Sequence, residues 1–141
     1  MTNENWGEDG NKYFQRSELA CRCCNKIFID SRLLNALNAL RELADAPITV
    51  TCAYRCVSHN AAIGGEKASY HCSGKAADLQ IKGFSIKEAY RLAEQIPAFL
   101  AGGIGLYPAE GFMHVDVRDK KARWARVKRG GPYVDVKEAL K

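Results

Sequence analysis

Two short apolar runs, residues 104–107 and 112–117, are separated by only Pro108, Ala109, Glu110 and Gly111. So short a link reads as a hairpin turn, because a parallel return needs a crossover of a dozen residues or more. Adjacent antiparallel strands argue against a doubly wound parallel sheet. The segments upstream fit that choice. From Asp30, Leu33, Leu34, Leu37, Leu40 and Leu43 recur at three- and four-residue steps, with Asp30 or Ser31 placed to cap a helix that Pro47 ends. Residues 48–52 alternate and are β-branched, as in a strand. Residues 58–63 form a short helical pattern stopped by Gly64 and Gly65, and residues 76–81 read as a buried strand. Ser85 and Glu88 are spaced as a capping box, with Phe84 and Ala89 as its hydrophobic staple, opening a helix to about residue 95. Helices and antiparallel strands in this order predict an α+β fold: a small antiparallel sheet with helices packed on it. Residues 1–15 read as a flexible arm, and residues 16–141 as one domain. Residues 133–141 carry a mixed pattern.

A chain of 141 residues with 47% hydrophobic and 26% charged residues can bury a core, which excludes disordered and collagen-like classes. No run of eighteen apolar residues exists, so no membrane span is expected. The polar, acidic start lacks the basic-then-apolar build of a secretory signal, so the expectation is synthesis in the cytoplasm without a signal peptide. The net charge of +5 is local: between Arg118 and Arg129 seven basic residues face Asp119 alone. Such a stripe reads first as a solvated face, and otherwise as a surface for a polyanion.

Six cysteines occupy positions 21, 23, 24, 52, 56 and 72. Cys21-Arg22-Cys23-Cys24 has no second CxxC or HxxxH at zinc-finger spacing, so reduced structural thiols are expected, with disulfides or a second metal site as the alternatives. Of the three histidines, His59 reads as a packing or surface residue. The other two each stand near a carboxylate. His71 lies in Ser69-Tyr70-His71-Cys72-Ser73-Gly74-Lys75-Ala76-Ala77-Asp78, where small residues let a loop histidine fold back over a strand aspartate. His114 and Asp116 are two apart on a strand and share a face with Phe112, leaving Met113, Val115 and Val117 to the core. Two imidazoles and a carboxylate suit a zinc site that keeps a position open; hydrogen-bonded structural His–Asp contacts are the alternative.

The pattern Ser-x-His-x-x-Gly-x-Ala-x-Asp followed by His-x-Asp resembles the zinc D-alanyl-D-alanine carboxypeptidases and L-alanyl-D-glutamate endopeptidases. These share a fold with the hedgehog signalling domain. The resemblance extends to Ser17-Glu18-Leu19-Ala20-Cys21, to the helix that follows Ile29, to the run from Pro47 through Tyr54, Arg55 and Cys56, and to Gly103-Ile104-Gly105-Leu106-Tyr107. It implies that His71, Asp78 and His114 bind Zn2+ and that Arg55 binds a substrate carboxylate or steadies an oxyanion. Ser69 would stand near the metal or hold its loop, and Tyr107 would line the cleft. The implied activity is zinc-dependent hydrolysis of an amide bond in peptidoglycan stem peptides, as a D,D-carboxypeptidase or an endopeptidase acting at the cell wall. The alternative is a non-catalytic zinc-containing wall-binding module of the same fold. A nucleic-acid partner leaves the histidine pattern unexplained and is not expected. Anionic wall polymers are a partner for the basic segment, and a monomer is expected. The chain departs from the family where several members carry a general base three residues before the last histidine, since Gly111 stands there. That leaves Asp116 or Glu110 as the base, with Asp116 otherwise orienting a histidine. Cys52, Ala53 and Cys72 replace other residues common in the family and put thiols near the zinc. Beyond about Trp124 no resemblance is identified.

Overall fold

The computed structural model describes residues 13–65 and 69–141. Its elements run in the order α1 (Arg16–Leu19), α2 (Ser31–Ala44), β1 (Ile48–Cys52), α3 (Val57–Ala62), β2 (Ala76–Ile81), α4 (Ile86–Ala93), α5 (Pro97–Leu100), β3 (Gly103–Tyr107), β4 (Phe112–Asp116) and β5 (Ala122–Ala125), followed by a 3-10 turn at Val136–Ala139. Asp30 caps α2, accepting from the Arg32 backbone N–H at 2.8 Å, and Leu33, Leu37 and Leu40 are fully buried. Leu43 falls off that stripe and is 44% exposed. The Ser85–Glu88 capping box forms as expected, with both reciprocal bonds present. Pro97 does more than end α4. It occupies the first turn of α5, where its missing N–H costs nothing. The flexible-arm expectation covers residues 1–15, of which 1–12 lie outside the described residues. The last three do not behave as an arm, since Phe14 is buried in the core and the Tyr13 hydroxyl donates to Glu42 at 2.9 Å.

The sheet has strand order β1-β2-β4-β3-β5. The hairpin β3–β4 forms, and every pair is antiparallel except β3–β5, which is parallel. The parallel edge corrects the expectation of a purely antiparallel sheet. Residues 117–121 are too few for a crossover, so the chain hops across the end of β3 and runs back antiparallel to β4, hence parallel to β3. One face of the sheet packs on α2, α4 and α5 through Val50, Leu79, Met113, Val115, Ile104 and Leu106, all buried. The other face carries the polar residues. Register puts Cys52 opposite Asp78, Asp78 opposite His114, His114 opposite Gly105, and Gly105 opposite Trp124. One row of side chains therefore crosses all five strands on the solvent-side face.

Candidate active site

The row supplies the chemistry at its centre. Asp78 on β2 and His114 on β4 are direct cross-strand neighbours, and the His114 Nδ1 lies 3.0 Å from the Asp78 Oδ1. His71 comes from the loop before β2, and its Nε2 lies 3.4 Å from the Asp78 Oδ2. The two rings meet edge to face with centroids 5.3 Å apart. Each histidine is held by its far nitrogen. His71 Nδ1 donates to the Ala53 carbonyl at 2.7 Å, and His114 Nε2 donates to the Asp116 Oδ2 at 2.7 Å. Both partners only accept, so those nitrogens carry protons, and His71 Nε2 and His114 Nδ1, which face Asp78, are the nitrogens that would lose theirs to a metal.

Burial works to discharge both rings. The carboxylates outweigh it: Asp78 holds His71 up at about 9, and Asp116 with Asp78 holds His114 up at about 9. Burial equally opposes ionising Asp78, yet the two histidines keep it well below the usual carboxylate range. A cation bound here would take the place of the protons on the two nitrogens that face Asp78. The donor chemistry also fits. Zinc bonds of 2.0–2.1 Å in a tetrahedral set put ligand atoms roughly 3.3 Å apart, and the donor separations at Asp78 are 3.0 and 3.4 Å. Cys52 also stands within reach of this group, since its sulfur, His71 and Asp78 lie within 4.8 Å of one another. However, it approaches His71 at Nδ1, 3.9 Å away, on the side already turned to Ala53. His71 and Asp78 are thus common to two candidate sets, with the third donor either the Cys52 sulfur or the His114 Nδ1, which lies 3.0 Å from the Asp78 Oδ1.

Asp116 is fully buried and its two oxygens are saturated. Oδ1 accepts from the Gly103 and Arg118 backbone N–H groups at 2.9 and 3.1 Å and from the Arg118 Nε at 2.9 Å. Oδ2 accepts from the Arg118 Nη2 at 2.8 Å as well as from His114. Burial alone would raise its pKa, but His114 and Arg118 hold it below the carboxylate range. A general base needs an oxygen facing the reacting water, and this carboxylate faces inward; its geometry is that of a group orienting His114. Glycine is required beside it: a Cβ on Gly103 would sit 2.4 Å from the Asp116 Oδ2.

Glu110 lies on the β3–β4 turn, four residues from His114, and is not among the residues lining the cleft. Four extended residues span roughly 13 Å, and the stacked Tyr107–Phe112 pair stands between. The family's acid position is filled by Gly111 because the turn needs φ +80° there. Among the described residues lining the cleft, Asp78 is the only carboxylate.

The cleft above the row has a volume of about 420 Å³. Arg55 enters it from the β1–α3 loop. Its Nη2 donates to the Ser69 Oγ at 3.1 Å, while its buried Nε has no hydrogen-bond partner among the described residues. Ser69 accepts both this bond and the His71 backbone N–H at 3.1 Å, so it ties the arginine to the metal-side loop. The opposite wall is aromatic. The Trp124 indole N–H donates to the Tyr107 hydroxyl at 2.9 Å, and its ring lies 5.2 Å from that of His114. Gly105 makes room for it, since a Cβ there would meet the indole at 2.3 Å. Burial pushes the Tyr107 phenol well above its usual value, so it stays neutral, and Tyr133 packs edge-on to it at 6.4 Å. Arg118 spans Tyr70 and Trp124 at 4.5 and 5.0 Å from the ring centroids.

Tyr107, readable from the sequence either as a cleft residue or as a core aromatic with a satisfied hydroxyl, lines the cleft with its hydroxyl bonded to Trp124. Trp124, Arg118 and Tyr133 were not singled out as cleft residues. Their signal is faint: Trp124 lies inside the basic window, on a strand too short and too charged to stand out. That window is also only partly a solvated stripe. Arg123 pairs with Glu94 at 2.9 Å and donates to the carbonyls of Gly102 and Leu100, and Arg126 donates to the Gly131 carbonyl. His59 takes no part in the cleft and sits on α3.

Comparisons with known proteins point the same way. A probable peptidoglycan L,D-endopeptidase MepK of Haemophilus influenzae is 40% identical over 79 residues, covering 52% of this chain and 41% of that protein. The peptidoglycan L,D-endopeptidase MepK of Escherichia coli K12 is 33% identical over 100 residues, 65% of this chain and 53% of that protein. The chain thus spans about half the length of the curated relatives it matches. The Peptidase M15 family matches residues 12–116. That stretch begins ahead of α1 and ends at Asp116, taking in both histidines, Asp78 and Arg55, and on that extent the chain belongs to the Peptidase M15 family.

Proposed function

We propose that the protein is a zinc metallopeptidase that hydrolyses an amide bond in peptidoglycan stem peptides, with endopeptidase action favoured by the names of its relatives. The observation that carries this reading is that His71 Nε2 and His114 Nδ1 both face the Asp78 carboxylate in an open cleft that Arg55 also lines. His71, Asp78 and His114 would hold zinc, which would supply Lewis-acid polarisation of a carbonyl and activation of water at neutral pH. The residues around it do the rest. Arg55, which lines the cleft, offers its guanidinium to a substrate carboxylate or to the oxygen on which negative charge develops, and Ser69 holds it there. Asp116 and the Ala53 carbonyl fix the tautomers of His114 and His71. Tyr107 stays protonated and serves as a hydrogen-bond donor, not a base. Phe112, Trp124 and Tyr133 form an apolar wall for the peptide. Glu110 is given no proton-transfer role. The exposed Lys120, Lys121, Lys128 and Arg129 are what remains of the basic stripe to meet an anionic wall polymer.

One observation favours a second reading. With Asp78 the only carboxylate among the described lining residues, a zinc-containing module that binds wall peptides without cleaving them fits the same geometry. Incubating zinc-loaded protein with purified peptidoglycan and following products by mass spectrometry separates the two. Split stem peptides, absent with His114→Ala, are the expected result. Bound wall peptide with no product from folded, zinc-loaded protein would overturn the hydrolase reading in favour of the binding module.

A further inference from the structure

Four of the six cysteines meet at one place away from the cleft. Cys21, Cys23 and Cys24 lie on the turn after α1, and Cys56 opens α3; their sulfurs all lie within 4.8 Å of one another. The Sγ–Sγ separations are 3.6 Å for Cys21–Cys23 and 3.4 Å for Cys23–Cys56. Zinc–sulfur bonds of 2.3 Å in a tetrahedral set place sulfurs roughly 3.8 Å apart. The four atoms are therefore gathered at nearly the spacing a tetrathiolate site demands, with little movement left to make.

The backbone around them is arranged for thiolates. The Cys56 N–H donates to the Cys21 sulfur at 3.4 Å, and the His59 N–H donates to the Cys56 sulfur at 3.4 Å. The turn is closed by the Asn25 N–H on the Cys21 carbonyl and the Cys21 N–H on the Lys26 carbonyl, with Asn25 at φ +60°. It folds three thiols over one spot while Cys23 and Cys24 stay exposed to a metal from solution. A single disulfide would use two of the four sulfurs and leave the other two crowded against it without a purpose.

We propose that Cys21, Cys23, Cys24 and Cys56 form a structural zinc site, separate from the His71–Asp78–His114 centre. Its four thiols release their protons to solvent as the cation binds, and no electron is exchanged. The consequence is mechanical. Cys56 directly follows Arg55, and the Tyr54 N–H already bonds the Leu19 carbonyl at 3.1 Å. A metal at this point pins the α1 turn to the loop that carries the substrate-binding arginine.

The test uses the full chain, prepared reduced and given zinc, with bound metal counted by elemental mass spectrometry and its ligands read by X-ray absorption at the zinc edge. The expected result is two zinc ions per chain with sulfur scattering from one of them. His114→Ala should leave one zinc with an all-sulfur shell. Cys23→Ser with Cys24→Ser, both exposed positions, should leave one zinc with a nitrogen and oxygen shell. The wild-type spectrum alone decides the matter if a variant fails to fold. One zinc per chain with no sulfur ligand would overturn the site. So would a Cys23–Cys56 disulfide in protein whose reduced form takes up no second zinc.

Discussion

Asp116→Asn separates an orienting role from a proton-transfer role. The change keeps size and shape but replaces one acceptor with a donor. If the amide oxygen stays where Oδ1 was, it retains the bonds from Gly103 and from the Arg118 backbone. The amide nitrogen then faces two donors, Arg118 Nη2 and His114 Nε2. His114 can escape only by moving its proton to Nδ1, the nitrogen that points at Asp78 and is needed as a metal ligand. Disturbing a partner of this kind costs 10- to 100-fold in metal affinity, or about 1.4–2.7 kcal/mol. Breaking the buried pair with Arg118 should also cost folding stability, about 3 kcal/mol, the low end for such pairs because the Oδ1 bonds survive. For a chain of this size that is a fall of roughly 10 °C in melting temperature. Chelator competition reads the zinc affinity and thermal unfolding reads the rest. Zinc affinity equal to wild type, combined with abolished hydrolysis, would refute the argument and make Asp116 the proton-transfer group.

Three further outcomes are expected. Arg55→Ala should leave zinc content unchanged and weaken binding of wall peptides by about 1.5–3 kcal/mol, the worth of a hydrogen bond to a charged group; titration with a stem peptide checks it, and unchanged affinity would remove Arg55 from the site. Gly105→Ala should force the Trp124 ring away from β3, because the new Cβ would lie 2.3 Å from it; a destabilisation of about 1–3 kcal/mol in denaturant unfolding is expected, and none would mean the indole is loosely held. In metal-free protein, His71 and His114 titrate at about 9 instead of 6.5. Raised values mean the folded state keeps protons that the unfolded chain has lost. Their contribution is therefore complete below about pH 6.5 and is lost as pH rises through about 9, so the apo melting temperature should fall across that range; a flat profile would contradict the coupling to Asp78.

Much of this was legible in the residues because it was local. The four-residue turn imposed the β3–β4 hairpin, the two-residue period sorted His114 and Asp116 from Met113 and Val115, and the Ser85–Glu88 capping box marked the start of α4. What escaped depended on distance in the chain. Ala122–Ala125 is short and carries an arginine, so it looked like surface charge; only pairing with β3 makes it a strand and only Gly105 makes room for its tryptophan. Asp116 looked available as a base because nothing in its neighbourhood announces that Gly103 and Arg118 would close around it. The four clustered cysteines looked unpromising as a metal knuckle because the fourth comes 35 positions after the first. Both inferences need the folded chain.

The two outer strands of the sheet have a further consequence. Beside β1, the Arg22 guanidinium donates to the carbonyls of Val50 and Thr51, and the α1 segment packs alongside. Beyond β5, Val134 bridges to Ala125 through bonds in both directions. Unpaired strand edges are where chains stick to one another and grow into aggregates. Here each end of the ladder is capped by the chain's own flanking segments, so the residues after β5 guard solubility as well as walling the cleft. Trimming them would expose a ready template for self-association.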